Sequence, residues 1–201
     1  MNTYTTIRNF HCSKNSYFKM KFNKTMYRLK SGEKVTIRAP QITEAQAVLD
    51  LKRSYLKNTS TLPLTLEEYP DDLEKESSLI KEYEKSDNSI FLIAEVDGVF
   101  VGNIDLTGSK RSKMDHTGML GMGISELWRN QGLGKVLIQS VIDWAKESSK
   151  IQIIWLDVYA TNEIAYSLYQ KMGFEVSGTI NGFFREGDAY IDKIQMYRPL
   201  R

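Results

Sequence analysis

The segment that most constrains the fold runs from Gly121 to Lys135 and predicts a strand, a short polar turn and a long helix. A helix that begins near Gly132 leaves several backbone N–H groups without partners at its positive end, and such groups bind phosphate well. The segment therefore predicts a phosphate site near the middle of the chain. The helix itself is indicated by apolar residues with the spacing of one helical face, namely Leu133, Val136, Leu137, Val141, Trp144 and Ala145.

Two familiar glycine patterns fit this turn poorly. A P-loop requires Ser or Thr after Gly-Lys, but Val136 follows Lys135. A dinucleotide fingerprint is matched in part, since Gly132 and Gly134 occupy its first two glycine positions and Asp157 supplies an acidic residue about 20 positions further on. Leu137 replaces its third glycine. A dinucleotide-binding domain therefore stays open as a remote alternative.

A third pattern fits throughout. The run Arg129, Asn130, Gln131, Gly132, Leu133, Gly134 resembles the Arg/Gln-x-x-Gly-x-Gly/Ala loop of the GCN5-related N-acetyltransferases (GNAT), which cradles the diphosphate of acetyl-coenzyme A (acetyl-CoA). Asn130 stands where that family very often has Gly. Because Asn tolerates a positive φ better than most residues, we expect the loop to close in spite of this difference.

A second segment resembles the other signature of that family, Asn-x-x-Ala-x-x-Leu-Tyr-x-x-x-Gly-Phe, and runs from Asn162 to Phe174. Asn162 is either the N-cap of a helix or a contact for the pantetheine arm of the cofactor, or both. The resemblance implies that Tyr169 donates a proton to the departing thiolate. The alternative is that Tyr169 only packs on the apolar face of its helix. Tyr166 lies one turn earlier and is a second candidate to line the cofactor.

The order of predicted elements agrees with this resemblance. Strands and helices are predicted in the order β-α-α-β-β-β-α-β-α-β-β, with Thr43 as the N-cap of the first helix, Asp71 or Asp72 as that of the second, a hairpin turn at Asp97-Gly98 and a connecting loop over Asn181–Asp188. The expected fold is α/β (α+β), the acyl-CoA N-acyltransferase fold, with a mixed central sheet and helices on both faces.

Composition predicts one domain, over residues 27–201, and a flexible basic tail over 1–26. Residues 1–30 contain seven Lys or Arg and no Asp or Glu, which leaves 20 basic and 25 acidic residues in 31–201. This acidic balance favours a cationic amine substrate over nucleic acid. The single cysteine, Cys12, allows no internal disulfide, and no apolar run is long enough to span a membrane. We therefore expect a cytoplasmic protein without a membrane or nucleic-acid partner.

The resemblance implies direct acetyl transfer from acetyl-CoA to a primary amine, either a small amine such as a polyamine or aminoglycoside-like compound or a protein or peptide amino group. It implies no metal and leaves a homodimer open. Main chain of the strand end would pair with pantetheine and stabilise the oxyanion. The implied cofactor-binding residues are Met122, Gly123, Ile124, Arg129, Asn130, Gln131, Gly132, Leu133, Gly134, Lys135, Asn162 and Tyr166, and the implied catalytic residue is Tyr169.

The general base is not identified by any motif. Four side chains near predicted strand ends are candidates, each with an ordinary solvated or hydrogen-bonded role as the alternative: Glu95, Asp105, Asp115 and His116. The acceptor site is expected to depend on the loops Asn58–Pro70 and Asn181–Asp188. A protein that binds acyl-CoA without turnover, acting as a sensor or partner module, is the alternative function.

Overall fold

The computed structural model describes residues 22–57, 59–147 and 150–200, which form one mixed sheet with helices on both faces. The strands are β1 (Thr25–Arg28), β2 (Lys34–Arg38), β3 (Ile90–Val96), β4 (Val99–Gly108), β5 (Thr117–Ile124), β6 (Ile153–Tyr159), β7 (Glu175–Glu186) and β8 (Ala189–Pro199). The helices are α1 (Ala45–Leu56), α2 (Leu73–Lys85), α3 (Leu133–Glu147) and α4 (Glu163–Lys171). No helix among these described residues is long and apolar enough to cross a membrane.

The sheet has the strand order β1-β2-β3-β4-β5-β6-β8-β7. Only β5 and β6 are parallel neighbours, and α3 is the crossover that connects them. All other neighbours are antiparallel. This topology places the end of β5, the start of α3 and the end of β6 at the same edge of the molecule. The predicted fold class is confirmed.

The two faces of the sheet bury different cores. One face packs against α3 and α4 and contains the main core, in which Leu92, Ile104 and Leu137 are fully enclosed. The opposite face packs against α1 and α2 through smaller clusters that include Val48 and Ile93. Because side chains alternate along a strand, each central strand contributes to both layers.

Several predicted boundaries are confirmed by backbone geometry. Asp97 and Gly98 both have positive φ, of 47° and 81°, as a two-residue hairpin turn requires. The Asp72 side chain accepts a 2.9 Å hydrogen bond from the Lys75 N–H and caps α2. Gly173 has a φ of 79° and ends α4 in the left-handed conformation. These positions depend on local chemistry, so local sequence was sufficient to predict them.

The predicted cap of the first helix is wrong. A short 3₁₀ turn over Ile42–Glu44 precedes α1, and Thr43 lies inside this turn. Glu44 is the residue before α1, and its carboxylate accepts a 2.7 Å hydrogen bond from the Gln41 N–H. The same carboxylate forms an ion pair with Arg38 at 2.6 Å. Arg38 is the last residue of β2, so this ion pair connects the turn before α1 to the sheet. The helix begins at Ala45, after this turn, and not directly after Thr43.

The N-terminal and C-terminal strands also differ from the prediction. β1 was not predicted. It begins at Thr25, two residues before the predicted domain boundary at residue 27. Residues 1–21, including Cys12, lie outside the described residues, so the flexible tail stays a prediction for them. The predicted loop Asn181–Asp188 is wrong, because most of it belongs to β7. The register of β7 against β8 shifts between Ile180 and Phe184, so β7 has more residues there than β8. Within this irregularity Gly182 has a φ of 60°, and its N–H donates a 2.8 Å hydrogen bond to Asp192.

Candidate functional site

The site is built around the divergence of β5 and β6. These parallel strands pair only at their beginnings, through Thr117 with Ile153, Gly118 with Ile154 and Met119 with Trp155. Beyond this point Leu120–Ile124 and Leu156–Tyr159 lie on neighbouring strands without pairing to each other. β5 therefore presents a row of backbone groups on its side toward β6, which an extended ligand can pair with as an added strand would.

The turn between β5 and α3 has the geometry that the sequence predicts. Asn130 has a φ of 62° and Gly132 a φ of 91°, so Asn130 adopts the left-handed conformation that Gly often supplies. The first helical hydrogen bond of α3 runs from the Val136 N–H to the Gly132 carbonyl at 3.3 Å. The N–H groups of Leu133 and Gly134 therefore have no acceptor in their own helix. They are the groups that the sequence predicts to bind a diphosphate.

Side chains of the loop hold it to the strand end. The Arg129 Nε donates a 3.1 Å hydrogen bond to the Ile124 carbonyl, and the Gln131 amide donates a 2.9 Å bond to the Leu127 carbonyl. These two predicted cofactor residues therefore shape the loop from within. Lys135 is exposed on the first turn of α3.

Gly134 brings the two signature segments together. A Cβ on this residue would lie 2.8 Å from Leu168 Cδ2, and close to the side chains of Ile124 and Met122 at 3.5 and 3.6 Å. The start of α3 therefore approaches α4 and the end of β5 at a distance that only a hydrogen side chain allows without displacement. This packing joins α4, which carries Tyr169, to the turn Arg129–Lys135, named here the phosphate loop after the ligand that the sequence predicts for it.

The two remaining residues of the second segment have identifiable contacts. The Asn162 side chain accepts a 3.2 Å hydrogen bond from the Ala165 N–H, so the capping role is confirmed. The Tyr166 hydroxyl accepts a 3.1 Å bond from Gln170 one turn further along α4. Contact of either residue with a cofactor stays a prediction.

Tyr169 lies at the inner side of α4. It is 8% exposed, and its ring packs edge-on against Phe174 at 5.7 Å between centroids. Burial raises the pKa of its phenol to about 12, so the hydroxyl holds its proton at neutral pH. A protonated phenol is the form that a proton donor requires, although packing in the core accounts for its position equally well.

The structure separates the four candidates for the general base. Glu95 is bound by Arg38 at 2.7 Å, and this ion pair removes it from consideration. Asp115 and His116 come immediately before β5, roughly 26 to 30 Å along the strand from its far end at Ile124. His116 instead lines a separate pocket of about 330 Å³ with Gln152, Ile153 and Pro199. Among the described residues no group of three or more His, Cys, Asp or Glu side chains could hold a metal ion.

Asp105 is the candidate that lies against β5. It pairs with Gly121 across the β4–β5 ladder, and a Cβ on Gly121 would be 2.8 Å from its Oδ1. Its Oδ2 accepts hydrogen bonds from the hydroxyls of Tyr83, at 3.1 Å, and Thr107, at 3.3 Å. Burial raises the pKa of this carboxyl to about 6, although the Tyr83 hydrogen bond and the positive charge of Lys52 act in the opposite direction.

Two neighbours of Asp105 complete a polar group on the α1–α2 face that sequence analysis missed. A Cβ on Gly123 would overlap the ring of Tyr55, which reaches from α1 onto β5. Asn103 is 3% exposed on β4, opposite Gly123. Burial raises the pKa of the Tyr55 phenol above its ordinary value, and the nearby Asp105 charge adds to this rise. The glycines alternating at 121 and 123 were the available signal, because both face this layer.

A buried ion pair borders the same layer. Lys52 on α1 contacts Glu76 on α2 at 2.8 Å, and the Tyr69 hydroxyl also hydrogen-bonds to Glu76. The Lys52 ammonium lies 4.8 Å from the centre of the Phe91 ring. The ammonium of this pair also acts on Asp105 from a distance, but it forms its ion pair with Glu76 and not with Asp105.

The hairpin between β1 and β2 contacts the phosphate loop and was also missed. The Lys30 N–H donates a 3.2 Å hydrogen bond to the Gln131 carbonyl, and the Ser31 hydroxyl donates a 2.8 Å bond to Gln131 Oε1. Both contacts join residues about a hundred positions apart, which no local pattern can predict.

Comparison with protein families identifies this arrangement. Residues 53–174, more than half of the chain, match the family model described as "Acetyltransferase (GNAT) family". The chain belongs to the GNAT family of acetyltransferases. The family resemblance predicted from the two signature segments is confirmed, and the dinucleotide-binding alternative is wrong. The model spans β3 to α4 completely, whereas β1, β2, β7 and β8 lie outside it.

Curated proteins similar to this chain include N-acetyltransferases. The chain is 28% identical over 107 residues to the L-amino acid N-acetyltransferase AaaT of Escherichia coli, covering 53% of this chain and 66% of that protein. It is 28% identical over 173 residues to an N-alpha-acetyltransferase of Sulfurisphaera tokodaii, covering 81% of this chain and 93% of that protein.

Solved structures show the same fold. A GNAT-family acetyltransferase from Streptococcus pneumoniae has a TM-score of 0.79 at 26% identity, covering 82% of this chain and 98% of that one. A GNAT superfamily phosphinothricin acetyltransferase from Sinorhizobium meliloti, solved in complex with acetyl-CoA, has a TM-score of 0.72 at 16% identity over 82% and 88% of the two chains. At that identity, the second likeness shows the fold alone.

Proposed function

We propose that this protein is an acetyl-CoA-dependent N-acetyltransferase that transfers an acetyl group directly to a primary amine. The observation that carries the proposal is the divergence of β5 and β6 beside a glycine turn whose amides begin α3. A cofactor with a diphosphate and an extended arm matches both parts, since the amides suit the diphosphate and the free edge of β5 suits the arm.

In the proposed reaction the amine nitrogen attacks the thioester carbonyl. An N–C bond forms, the C–S bond breaks, and the sulfur leaves as a thiolate that accepts a proton from the Tyr169 hydroxyl or from water. Main-chain N–H groups near Met122 would stabilise the oxyanion of the tetrahedral intermediate. Since an alkylamine is almost fully protonated at neutral pH, a base must first remove one proton from the ammonium group.

The acceptor is proposed to be an amino acid or a protein or peptide amino group, with small amines such as polyamines as further candidates. The names of the relatives support this range, because one acts on L-amino acids and another is an N-alpha-acetyltransferase. The acidic balance of residues 31–201 is compatible with any cationic amine.

Thiol release from acetyl-CoA tests the proposal directly. The purified chain is incubated with acetyl-CoA and a panel of acceptors: L-amino acids, a peptide with an N-terminal alanine, spermidine and an aminoglycoside. Release of coenzyme A that depends on one of these amines supports the proposal. Saturable binding of acetyl-CoA without release would favour the non-catalytic acyl-CoA-binding module, and absence of binding would reject both.

A further inference from the structure

The polar group between the sheet and helices α1 and α2 contains a carboxylate that forms no ion pair with the described residues. Asp105 is partly buried and has no ion pair among the described residues, whereas Glu76 and Lys52 neutralise each other at 2.8 Å. A buried carboxylate without a cation is costly to fold around. Asp105 lies beside β5, the strand proposed to pair with the cofactor. This position points to a cationic ligand as the group that pairs with its carboxylate.

The two glycines of β5 let this carboxylate reach over the strand. Because Gly121 has no side chain, Asp105 Oδ1 lies 2.8 Å from the position that a Cβ would occupy. The neighbouring residue, Met122, belongs to the main chain proposed to pair with the acyl arm. One carboxylate oxygen therefore reaches over β5, while the other accepts hydrogen bonds from Tyr83 and Thr107.

An enclosed acceptor atom lies two residues away on the same face of β4. Asn103 Oδ1 is fully enclosed and has no hydrogen-bond partner among the residues that the structure describes. The Asn103 side chain also hydrogen-bonds to the Tyr55 phenol, so Asn103 and Tyr55 form one polar pair beside Asp105. Asn103 Oδ1 and the Asp105 carboxylate are both acceptors, and a primary ammonium group supplies only donors.

We propose that Asp105 receives the ammonium group of the acceptor and removes its proton, so that the acceptor enters from the α1–α2 face of the sheet. This inference rests on the proposed function. In the step, one N–H bond of the ammonium breaks, the carboxylate takes the proton, and the freed lone pair attacks the thioester carbonyl. The second proton, lost from nitrogen after attack, passes to water. Tyr83 and Thr107 are positioning residues that orient the carboxylate.

The test compares Asp105→Asn with Asp143→Asn, a control in which a carboxylate partnered by Gln139 on α3 is changed in the same way. With the acceptor of the panel that supports turnover, we expect Asp105→Asn to lower kcat/KM on the order of 100-fold at pH 7. We expect its Kd for acetyl-CoA and that of the control to match the wild type. If Asp105→Asn keeps wild-type kcat/KM, the inference is overturned while the proposed function stands. If the wild type does not turn over any amine, both fall.

The pH profile separates a base from a structural residue. The groups that face Asp105 are Tyr83 from α2, Tyr55 and Lys52 from α1, and Thr107 from its own strand. In the wild type kcat/KM should rise through the pKa of Asp105, near 6, and this limb should be absent in Asp105→Asn. Tyr83→Phe removes a hydrogen bond that favours the charged carboxylate, so it should move the limb to higher pH. An unmoved limb in both variants would overturn the assignment.

A second inference comes from the hairpin between β1 and β2, which lies outside the matched family segment. Two hydrogen bonds from Lys30 and Ser31 hold this turn on Gln131 of the phosphate loop. Lys30 Cγ and Cε lie 3.8 and 4.0 Å from the position of a Cβ on Gly132, so the side chain runs along the turn. Its ammonium group forms no ion pair with the described residues. The geometry points to Lys30 as a contact for a phosphate of coenzyme A, and this inference also rests on the proposed function.

Calorimetry with coenzyme A tests the second inference. Lys30→Gln should weaken binding about 5- to 10-fold at low salt, because one cation near a phosphate is lost. Lys81→Gln, an exposed lysine on α2, is the matched control and should bind as the wild type does. Dephospho-coenzyme A, which lacks the 3′-phosphate, locates the contact. If Lys30→Gln and the wild type bind it with the same Kd, Lys30 contacts the 3′-phosphate. If Lys30→Gln weakens its binding as much as it weakens binding of coenzyme A, Lys30 contacts the diphosphate. Wild-type affinity of Lys30→Gln for coenzyme A would overturn the inference, whereas a wild type that does not bind would overturn the proposed function as well.

Discussion

Tyr169 is the residue for which packing and chemistry predict different results. If the phenol protonates the leaving sulfur, Tyr169→Phe keeps the ring contact with Phe174 and removes only the proton. We expect kcat to fall roughly 10- to 100-fold with a nearly unchanged Kd for acetyl-CoA. Tyr197→Phe, which removes a hydroxyl near Glu175, is the control. Steady-state kinetics with unchanged kcat would leave Tyr169 with a packing role only.

The charged form of Asp105 is expected to lower the free energy of unfolding at neutral pH. A residue with only a structural role would be expected to raise it. The folded pKa of Asp105, about 6, is raised above the ordinary value, so the native state favours the protonated form. The contribution of Asp105 to stability is therefore most favourable below about pH 4, falls as the pH rises to its folded pKa near 6, and is level above it. Asp105→Asn should raise the free energy of unfolding at pH 7.5 by about 1 to 2 kcal/mol, after allowance for partial exposure, and change little at pH 4.

Urea denaturation of wild type and Asp105→Asn at both pH values measures this difference. The result combines with the kinetics, because the variant is expected to be more stable and less active. A variant that is less stable at pH 7.5 would mean that the carboxylate is compensated by contacts within the fold.

At the level of elements, the packing of α3 on α4 is expected to couple cofactor binding to the position of Tyr169. Gly134→Val places two methyl groups where a single Cβ already lies 2.8 Å from Leu168. Either Leu168 or the start of α3 must shift, so we expect Kd for acetyl-CoA to rise at least about 10-fold and kcat to fall with it. Gly178→Val on β7 is the control, because a Cβ there meets no atom within 4 Å. Wild-type binding by Gly134→Val would show that α4 moves independently.

The elements also show which parts of the fold can be predicted from sequence. The turn at Asn130 and Gly132, the cap at Asn162 and the end of α4 at Gly173 follow from local backbone chemistry, so their predictions hold. β1 and the second half of β7 owe their strand form to pairing with β2 and β8, and their own residues carry no clear alternation. Asp105 could not be separated from Asp115 by sequence, because only the β4–β5 register places it beside Gly121.

On the scale of the whole molecule, the proposed binding of acetyl-CoA between the diverging strands is expected to stabilise the folded state. A ligand that binds only the folded state stabilises it by about 2.7 kcal/mol at 100 times its Kd. For a domain of this size that corresponds to a rise in Tm of about 5 to 10 °C. Thermal unfolding followed across acetyl-CoA concentrations measures the effect, and a Tm that does not change with concentration would contradict the proposed site.

The same divergence has a consequence inside a cell. The backbone of Leu120–Ile124 does not pair with β6, although the Ile124 carbonyl accepts a hydrogen bond from Arg129. In the free protein the amides on this side are expected to exchange with solvent, and the edge is a candidate for proteolysis or for pairing with another chain. An extended cofactor would form the backbone hydrogen bonds that β6 does not form with this part of β5. The lifetime of the protein would then follow the acetyl-CoA supply, and starved cells would lose the enzyme together with its substrate.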